Sequence, residues 1–307
     1  MCMTISVALF EAAQKLQPKR IVCQADRDLG RLEAEILLAH ILGKDRAWLL
    51  AHGEELLRPN FRKKFQAFVD RRVNHEPIAY ILGYREFYGR NFKVTRDTLI
   101  PRPETELMVD LILQSTRYEE RGTPAPLILD LGTGSGALAV TLAKEIPSTT
   151  VLATDISPRA LQVARSNARQ LGSKNIKFLQ ANLLDPKVRK HLKNASKKHP
   201  TLIIAANLPY LPNSDKKILD PDVVSYEPSK ALFAGQDGLG LIRKFLVQLA
   251  HHFGSLGFNS IRAYLEFDPP QSASLKNLAQ SLFPKAKIKI HKDLAKRNRV
   301  LEIIPTP

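Results

Sequence analysis

Cysteine is scarce in this chain of 307 residues, where only Cys2 and Cys23 occur. Two cysteines supply neither a disulfide framework nor a four-ligand zinc site, which points to a reducing, cytoplasmic setting. Long apolar runs are missing as well: none approaches the roughly 20 residues that cross a bilayer. The opening stretch Met1–Phe10 has no basic residue and is followed by Glu11, so it reads as the start of a helix and not as a secretory leader. Acidic residues are outnumbered, 30 against 46 lysines and arginines, for a formal charge of +16. The excess falls late, with eight basic and two acidic residues in 182–217, and seven and two in 285–307. That balance suits contact with RNA or an acidic protein, or simply a solvated surface; no aromatic interleaving marks a base-stacking face. Apolar residues, at 44% beside 25% charged, are ordinary for a globular protein and enough for about two domains.

The first 75 residues read as helical. Ala34, Ile36, Leu37, Leu38, Ile41 and Leu42 recur at helical spacing, as do Phe61, Phe65, Phe68 and Val69, and Gly43 and Gly53 punctuate the segments. Trp48 belongs to that helical core. From Ile78 the texture turns aromatic and β-branched with glycine breaks, which suits a hairpin linker over 76–100. Ile100-Pro-Arg-Pro-Glu-Thr-Glu106 then stiffens the start of a helix near Glu104. After the linker 122–126, strands and helices alternate. Strands are predicted at 127–131, 150–155, 176–180, 201–206, 263–267, 287–291 and 300–304, and helices at 137–145, 158–171, 238–253 and 271–282. This alternation predicts an α/β fold with a doubly wound, mainly parallel sheet. The lysine-rich stretch 187–198 reads as a solvated helix or loop. His251-His252 ends a helix near Gly254 and lacks an acidic partner at metal-ligand spacing.

Leu127-Ile-Leu-Asp-Leu-Gly-Thr-Gly-Ser-Gly136 is the most informative stretch. A buried strand runs into glycines at 132, 134 and 136, and a helix starts at once. The spacing Asp-x-Gly-x-Gly-x-Gly differs from the dinucleotide fingerprint Gly-x-Gly-x-x-Gly. It resembles motif one of the class I S-adenosylmethionine-dependent methyltransferases. A carboxylate at Asp130 suits a cationic amino-acid cofactor better than a pyrophosphate. The next strand ends at Asp155, which can accept hydrogen bonds from both ribose hydroxyls. The resemblance implies a Rossmann-like sheet that binds S-adenosyl-L-methionine through Asp130, Gly132, Thr133, Gly134, Gly136, Asp155, Ile156, Asn182 and Asn207. Ile156 and Asn182 would hold adenine; many methyltransferases have aspartate where Asn182 stands, and an amide oxygen can still meet the adenine amino group.

The strand at 201–206 runs into Asn207-Leu-Pro-Tyr210. That tetrapeptide resembles the signature of methyltransferases acting on planar nitrogen, namely glutamine amides and the amino groups of adenine and cytosine. Such a nitrogen delocalises its lone pair and is a poor nucleophile. The Asn207 side-chain oxygen and the Leu208 carbonyl can each accept a hydrogen bond from the NH2 group and stabilise the charge that develops on nitrogen. Pro209 stiffens the carbonyl, and Tyr210 packs on the flat substrate. No metal is called for, because alignment of nitrogen with methyl carbon does most of the work.

His75–Gly83, Phe87-Tyr-Gly89, Ile100–Glu106, Asp155–Pro158, Tyr226-Glu-Pro228 with Gln236–Leu239, and Asp293–Arg299 together resemble the HemK/PrmC family. These are protein-(glutamine-N5) methyltransferases of the Gly-Gly-Gln motif in class I peptide chain release factors. The resemblance spans nearly the whole chain. It implies a smaller N-terminal all-α recognition domain (1–75), the hairpin linker (76–100) and a class I methyltransferase domain (101–307), acting as a cytoplasmic monomer. RNA contact is allowed but not required, and no membrane is involved. Two departures stand out. Leu208 replaces the family's first proline, giving the spelling of RNA adenine dimethyltransferases, and Glu266-Phe-Asp-Pro-Pro270 replaces a glycine-containing stretch. Arg102–Glu104 serves as a rigid loop or as a wall of the cofactor pocket; Tyr226 and Glu227 border the substrate channel or pack as an ordinary turn. Rival readings are an RNA adenine-N6 methyltransferase, a ribosomal-protein glutamine methyltransferase, and a ribosome-associated RNA-binding protein with a degenerate methyltransferase fold.

Overall fold

Helical periodicity and capping shape the first part of the chain. In the computed structural model, which describes residues 3–17, 24–117 and 124–306, five helices come first. They are α1 (Ile5–Leu16), α2 (Gln24–Leu42), α3 (Arg46–Ala51), α4 (Pro59–Val73) and α5 (Ile78–Leu82). Cys2 and Cys23 lie outside the described residues, as does the start of the linker at 122–126. Thr4 caps α1 by accepting from the Val7 amide, and Asp45 caps α3 from Trp48. Ile5, Leu9, Leu37, Leu38, Leu49, Phe65 and Val69 make one buried core. Trp48 only half-enters it, stacking on His52 with ring centroids 4.1 Å apart, while Lys44 lies over its ring.

The helical unit runs further than residue 75. Ile78–Leu82, expected as part of a hairpin, folds as α5 between Pro77 and a left-handed Gly83 (φ 82°), the proline-before and glycine-after pattern of a short helix. Two stretches, Met1–Gly83 and Asp220–Tyr226, form this unit; Tyr84–Leu219 and Glu227–Pro307 form the other. Helix α10 (Pro221–Tyr226, numbered in chain order) is held in the first by Arg72, which reaches Asp222 at 3.0 Å and Glu33 at 2.9 Å. The Tyr226 hydroxyl donates to the Asn74 carbonyl at 2.7 Å.

The second unit opens with a true hairpin, β1 (Tyr84–Phe87) and β2 (Arg90–Lys93). Its two-residue turn, Tyr88-Gly89, has both φ positive (50° and 72°), the twist-matched geometry of tight hairpins. Helix α6 (Glu106–Arg117) follows, then β3 (Leu127–Leu131), α7 (Ala137–Glu145), β4 (Thr150–Asp155), α8 (Pro158–Gln170), β5 (Ile176–Gln180), α9 (Pro186–Ala195) and β6 (Thr201–Ala206). Beyond α10 come α11 (Ser229–Leu232), α12 (Gly240–His252), β7 (Ser260–Glu266), α13 (Ser272–Leu282), β8 (Lys287–Lys292) and β9 (Asn298–Ile304). Seven strands form one sheet in the order β5-β4-β3-β6-β7-β9-β8, parallel from β5 to β7 and antiparallel at β9 and β8. Alternation along β3 sends Leu127, Leu129 and Leu131 to the face covered by α9, α12 and α13, and Ile128 to the face covered by α6 and α7. The late lysines have places in this scheme. Val188 and Leu192 bury the inner face of α9 while Lys187, Lys190 and Lys193 stay exposed. Lys287 and Lys289 line the outside of edge strand β8, where charge discourages strand addition.

Candidate active site

From β3 the chain proceeds to β4 and β5 on one side, then crosses to β6 on the other, so the order reverses between β3 and β6. In open α/β sheets, ligands occupy the crevice at the carboxyl ends of such strands. Every residue of the glycine loop, Asp155, Ile156, Asn182 and Asn207–Tyr210 follows or ends one of these four strands.

The glycine loop leaves β3 with φ of 72°, 55° and 81° at Gly132, Gly134 and Gly136. At Gly136 no side chain fits: a Cβ would lie 3.0 Å from the Ala164 Cβ and 3.1 Å from its Cα. Thr133 is turned inward, donating its hydroxyl to the Asp130 carboxylate at 2.6 Å and its amide to the Thr154 carbonyl at 2.8 Å. Asp130 is buried, and that desolvation, with the nearby Asp155 charge, pushes its pKa up to about 7 against the Thr133 bond. Asp155 accepts from the Gly134 amide at 2.9 Å and from the Ser157 amide at 2.8 Å. Burial raises its pKa too, opposed by those backbone bonds. Each oxygen thus keeps lone-pair capacity for a hydroxyl. Ile156 is 61% exposed, with its carbonyl held by Gln180 at 3.3 Å. Asn182 is exposed just past β5, and its backbone is fixed in a turn with Asp185.

The Asn207 tetrapeptide adjoins this loop: a Cβ on Gly132 would sit 3.2 Å from Leu208 Cδ2 and 3.9 Å from the Asn207 carbonyl oxygen. Leu208 is buried, so its side chain packs the core beneath the loop while its carbonyl is the atom of chemical interest. Asn207 Nδ2 donates to the Thr105 hydroxyl at 2.9 Å. Thr105 in turn donates to Glu266 at 2.7 Å, and Tyr210 donates its hydroxyl to the other Glu266 oxygen at 3.2 Å. Burial, then the Glu266 charge, drives the Tyr210 phenol well above its usual range. Gln271 Nε2 holds the Tyr210 carbonyl at 2.7 Å and the Asp237 carbonyl at 2.9 Å. Gly238 is required here, since a Cβ would collide with the Tyr210 carbonyl oxygen.

Several of these supports were not assigned a task from sequence: Thr105, Asn167, Glu266 and Gln271. Asn167, fully buried on α8, donates to the Ser135 carbonyl of the glycine loop at 2.7 Å and exchanges bonds with both backbone groups of Lys93. Gln271 carried a signal, because Asp268-x-x-Gln271 has capping-box spacing and the box forms. Glu227 is buried, accepting from the Ile100 amide at 3.0 Å and from Arg102 at 2.6 Å, so it and Arg102 brace the Pro101–Pro103 loop. His251 and His252 occupy the last turn of α12.

The residues fit an S-adenosylmethionine site. Paired acidic groups sit at the ends of adjacent strands, beside a turn whose three glycines all have positive φ and whose last, Gly136, leaves no room for a side chain. Fold and rim together define a class I methyltransferase.

Comparison with known proteins narrows the class. A family model for the PrmC N-terminal domain matches residues 11–83, and one for a methyltransferase domain matches 125–217. A release factor glutamine methyltransferase of Neisseria gonorrhoeae is 38% identical over 273 residues, 89% of this chain and 92% of the relative. That of Bacillus subtilis is 37% identical over 278 residues, again 89% and 92%, and that of Coxiella burnetii is 39% identical over 82% of this chain and 83% of its own. Among solved structures, the hMettl16 catalytic domain in complex with MAT2A 3′UTR hairpin 1 superposes with TM-score 0.54 at 12% identity, covering 83% of this chain and 86% of that one, a likeness of fold alone. The chain belongs to the family of release factor glutamine methyltransferases.

Proposed function

We propose that this enzyme transfers a methyl group from S-adenosyl-L-methionine to the side-chain nitrogen of glutamine in the Gly-Gly-Gln motif of class I peptide chain release factors. The observation that carries the reading is Asn207: its amide nitrogen is engaged by Thr105, which leaves Oδ1 to accept from a substrate amide at the rim beside the glycine loop. The names of the curated relatives favour a release factor as the partner.

When bound, S-adenosylmethionine supplies a methyl carbon that already bears a leaving group. Asp130 would hold its ammonium, Asp155 would accept from its ribose hydroxyls, and Ile156 and Asn182 would hold its adenine. The backbone at Gly132, Gly134 and Gly136 permits the close approach, and Thr133 orients Asp130. Asn207 Oδ1 and the Leu208 carbonyl accept hydrogen bonds from the two N–H groups of the substrate amide, fix its plane and draw electron density onto nitrogen, which gives up one of those protons to solvent once it carries the methyl group. These acceptors strengthen as positive charge grows on that nitrogen, so they act on the transition state more than on binding. Pro209 restricts the Leu208 carbonyl, and Tyr210, held by Glu266 and Gln271, packs on the flat amide. The helical unit, Met1–Gly83 with Asp220–Tyr226, serves recognition of the release factor. A release factor as substrate favours work in the cytoplasm. Among the described residues no helix is long and apolar enough to cross a membrane.

A labelled-methyl transfer assay offering release factor and ribosomal RNA side by side tests the reading. Label should appear on the release factor, at glutamine by mass spectrometry, and vanish when that glutamine is replaced by glutamate, which has no NH2 to donate. Label on RNA adenine with an unmodified release factor would overturn it.

A further inference from the structure

Glu266 ends β7 wholly buried. An ionised carboxylate has only acceptors, and its two oxygens receive the hydroxyls of Thr105 and Tyr210. Thr105 has a single hydroxyl hydrogen. Once that hydrogen points to Glu266, the Thr105 oxygen can only accept, and Asn207 Nδ2 meets it at 2.9 Å.

The consequence falls on the far end of Asn207. A side-chain amide carries a donor at one end and an acceptor at the other, so fixing Nδ2 inward turns Oδ1 away from Thr105. The reversed amide would set oxygen against oxygen at Thr105 and present NH2 groups to the NH2 of the substrate. We propose that Thr105 is a positioning residue for methyl transfer, its hydroxyl polarised by buried Glu266 so that Asn207 shows its oxygen, never its nitrogen, to the substrate amide. The relay needs Glu266 charged. Burial, above all, and the Glu104 charge raise the Glu266 pKa above the ordinary carboxylate range, and the Thr105 hydroxyl, Arg299, itself buried at 7% exposure, and the Tyr210 hydroxyl counter them in part. The three members come from distant parts of the chain, the turn before α6, the end of β6 and the end of β7, so the alignment is a product of the fold.

The inference rests on Asn207 being the substrate acceptor, and the experiment separates the two claims. Thr105→Val keeps the side-chain shape and removes the hydroxyl; Thr105→Ser keeps the hydroxyl. In the full chain with release factor as substrate, Thr105→Val should lower kcat about tenfold, the loss of one oriented hydrogen bond, with cofactor Kd and release-factor KM each within about twofold. Thr105→Ser should stay within about twofold of the unaltered enzyme. Thr105→Ala, which only removes atoms, carries the same expectation as valine should the added methyl disturb folding. Unchanged kcat in the valine and alanine variants overturns the relay, as does a serine variant as slow as valine, or a loss shared equally by cofactor binding. If Asn207→Ala turns over normally, the acceptor assignment itself is wrong. If Asn207→Ala fails while Thr105→Val does not, only the relay falls.

Discussion

The two ends of the candidate site are built by opposite strategies. At the cofactor end, Asp130, Thr133, Gly134, Asp155 and Ser157 hold one another across fewer than thirty residues of chain, mostly through backbone groups. At the substrate end, Asn207 and Tyr210 are fixed by side chains from far away in sequence, Thr105, Glu266 and Gln271. A local loop can bind a generic ligand. A group that must present one particular atom to a flat amide needs a frame assembled from the whole sheet.

Removing atoms at each end should separate the two. Asn207→Ala takes away an acceptor that strengthens in the transition state, so kcat should fall roughly 10²–10³-fold with little change in cofactor affinity; steady-state kinetics and calorimetry on one preparation check both. Asp155→Ala should do the reverse, weakening cofactor binding by about 1–3 kcal/mol while chemistry at saturation is largely kept. Unchanged affinity in that variant would remove Asp155 from the cofactor end.

A pH series sharpens the contrast at smaller scale. With its pKa raised to about 7, Asp130 in the free enzyme holds a proton below neutrality and loses it above. A cationic ligand favours the ionised carboxylate, so cofactor affinity should rise from pH 6 to pH 8 by up to about tenfold, with a proton released on binding. Calorimetry in buffers of different ionisation enthalpy reads that proton, and Asp130→Asn should abolish its release. The smallest effect belongs to Leu208→Pro. Its carbonyl stays in place, but a buried side chain that packs beside Gly132 is traded for a smaller ring. Turnover should drop by less than about threefold while thermal stability falls by about 1 kcal/mol, read by calorimetric melting.

This division also explains what could be read from sequence. β3, the glycine turn, α7, β4 and β6 are coded by short-range patterns, continuous apolar runs that end in glycines, a capping serine or Asn207, and their observed ends match the pattern. Ile78–Leu82 misled because aromatic and β-branched residues suit either state over five positions; the deciding signals were Pro77 and Gly83 at its two ends. β7 begins three residues earlier than its apolar run, at Ser260, because pairing with Thr201 on β6 imposes extended geometry on polar residues. The partners of Asn207 were out of reach for a different reason. Thr105 and Glu266 are separated by 161 positions, and no spacing rule joins them.

The route of the backbone sets limits on dissection. Because Asp220–Tyr226 folds with the helical unit, the chain passes between units three times, after Gly83, after Leu219 and after Tyr226. A chain trimmed of its first 83 residues would lose Arg72 and Asn74, and with them the anchors of Asp222 and Tyr226. The resulting untethered loop would begin after Leu219 and end at Glu227, the residue that braces Ile100 and Arg102. Trimming would therefore slacken the stretch of chain that leads into Glu227. The helical unit is woven into the enzyme as a double stitch, and replacing it by a foreign docking module means carrying residues 220–226 along with it.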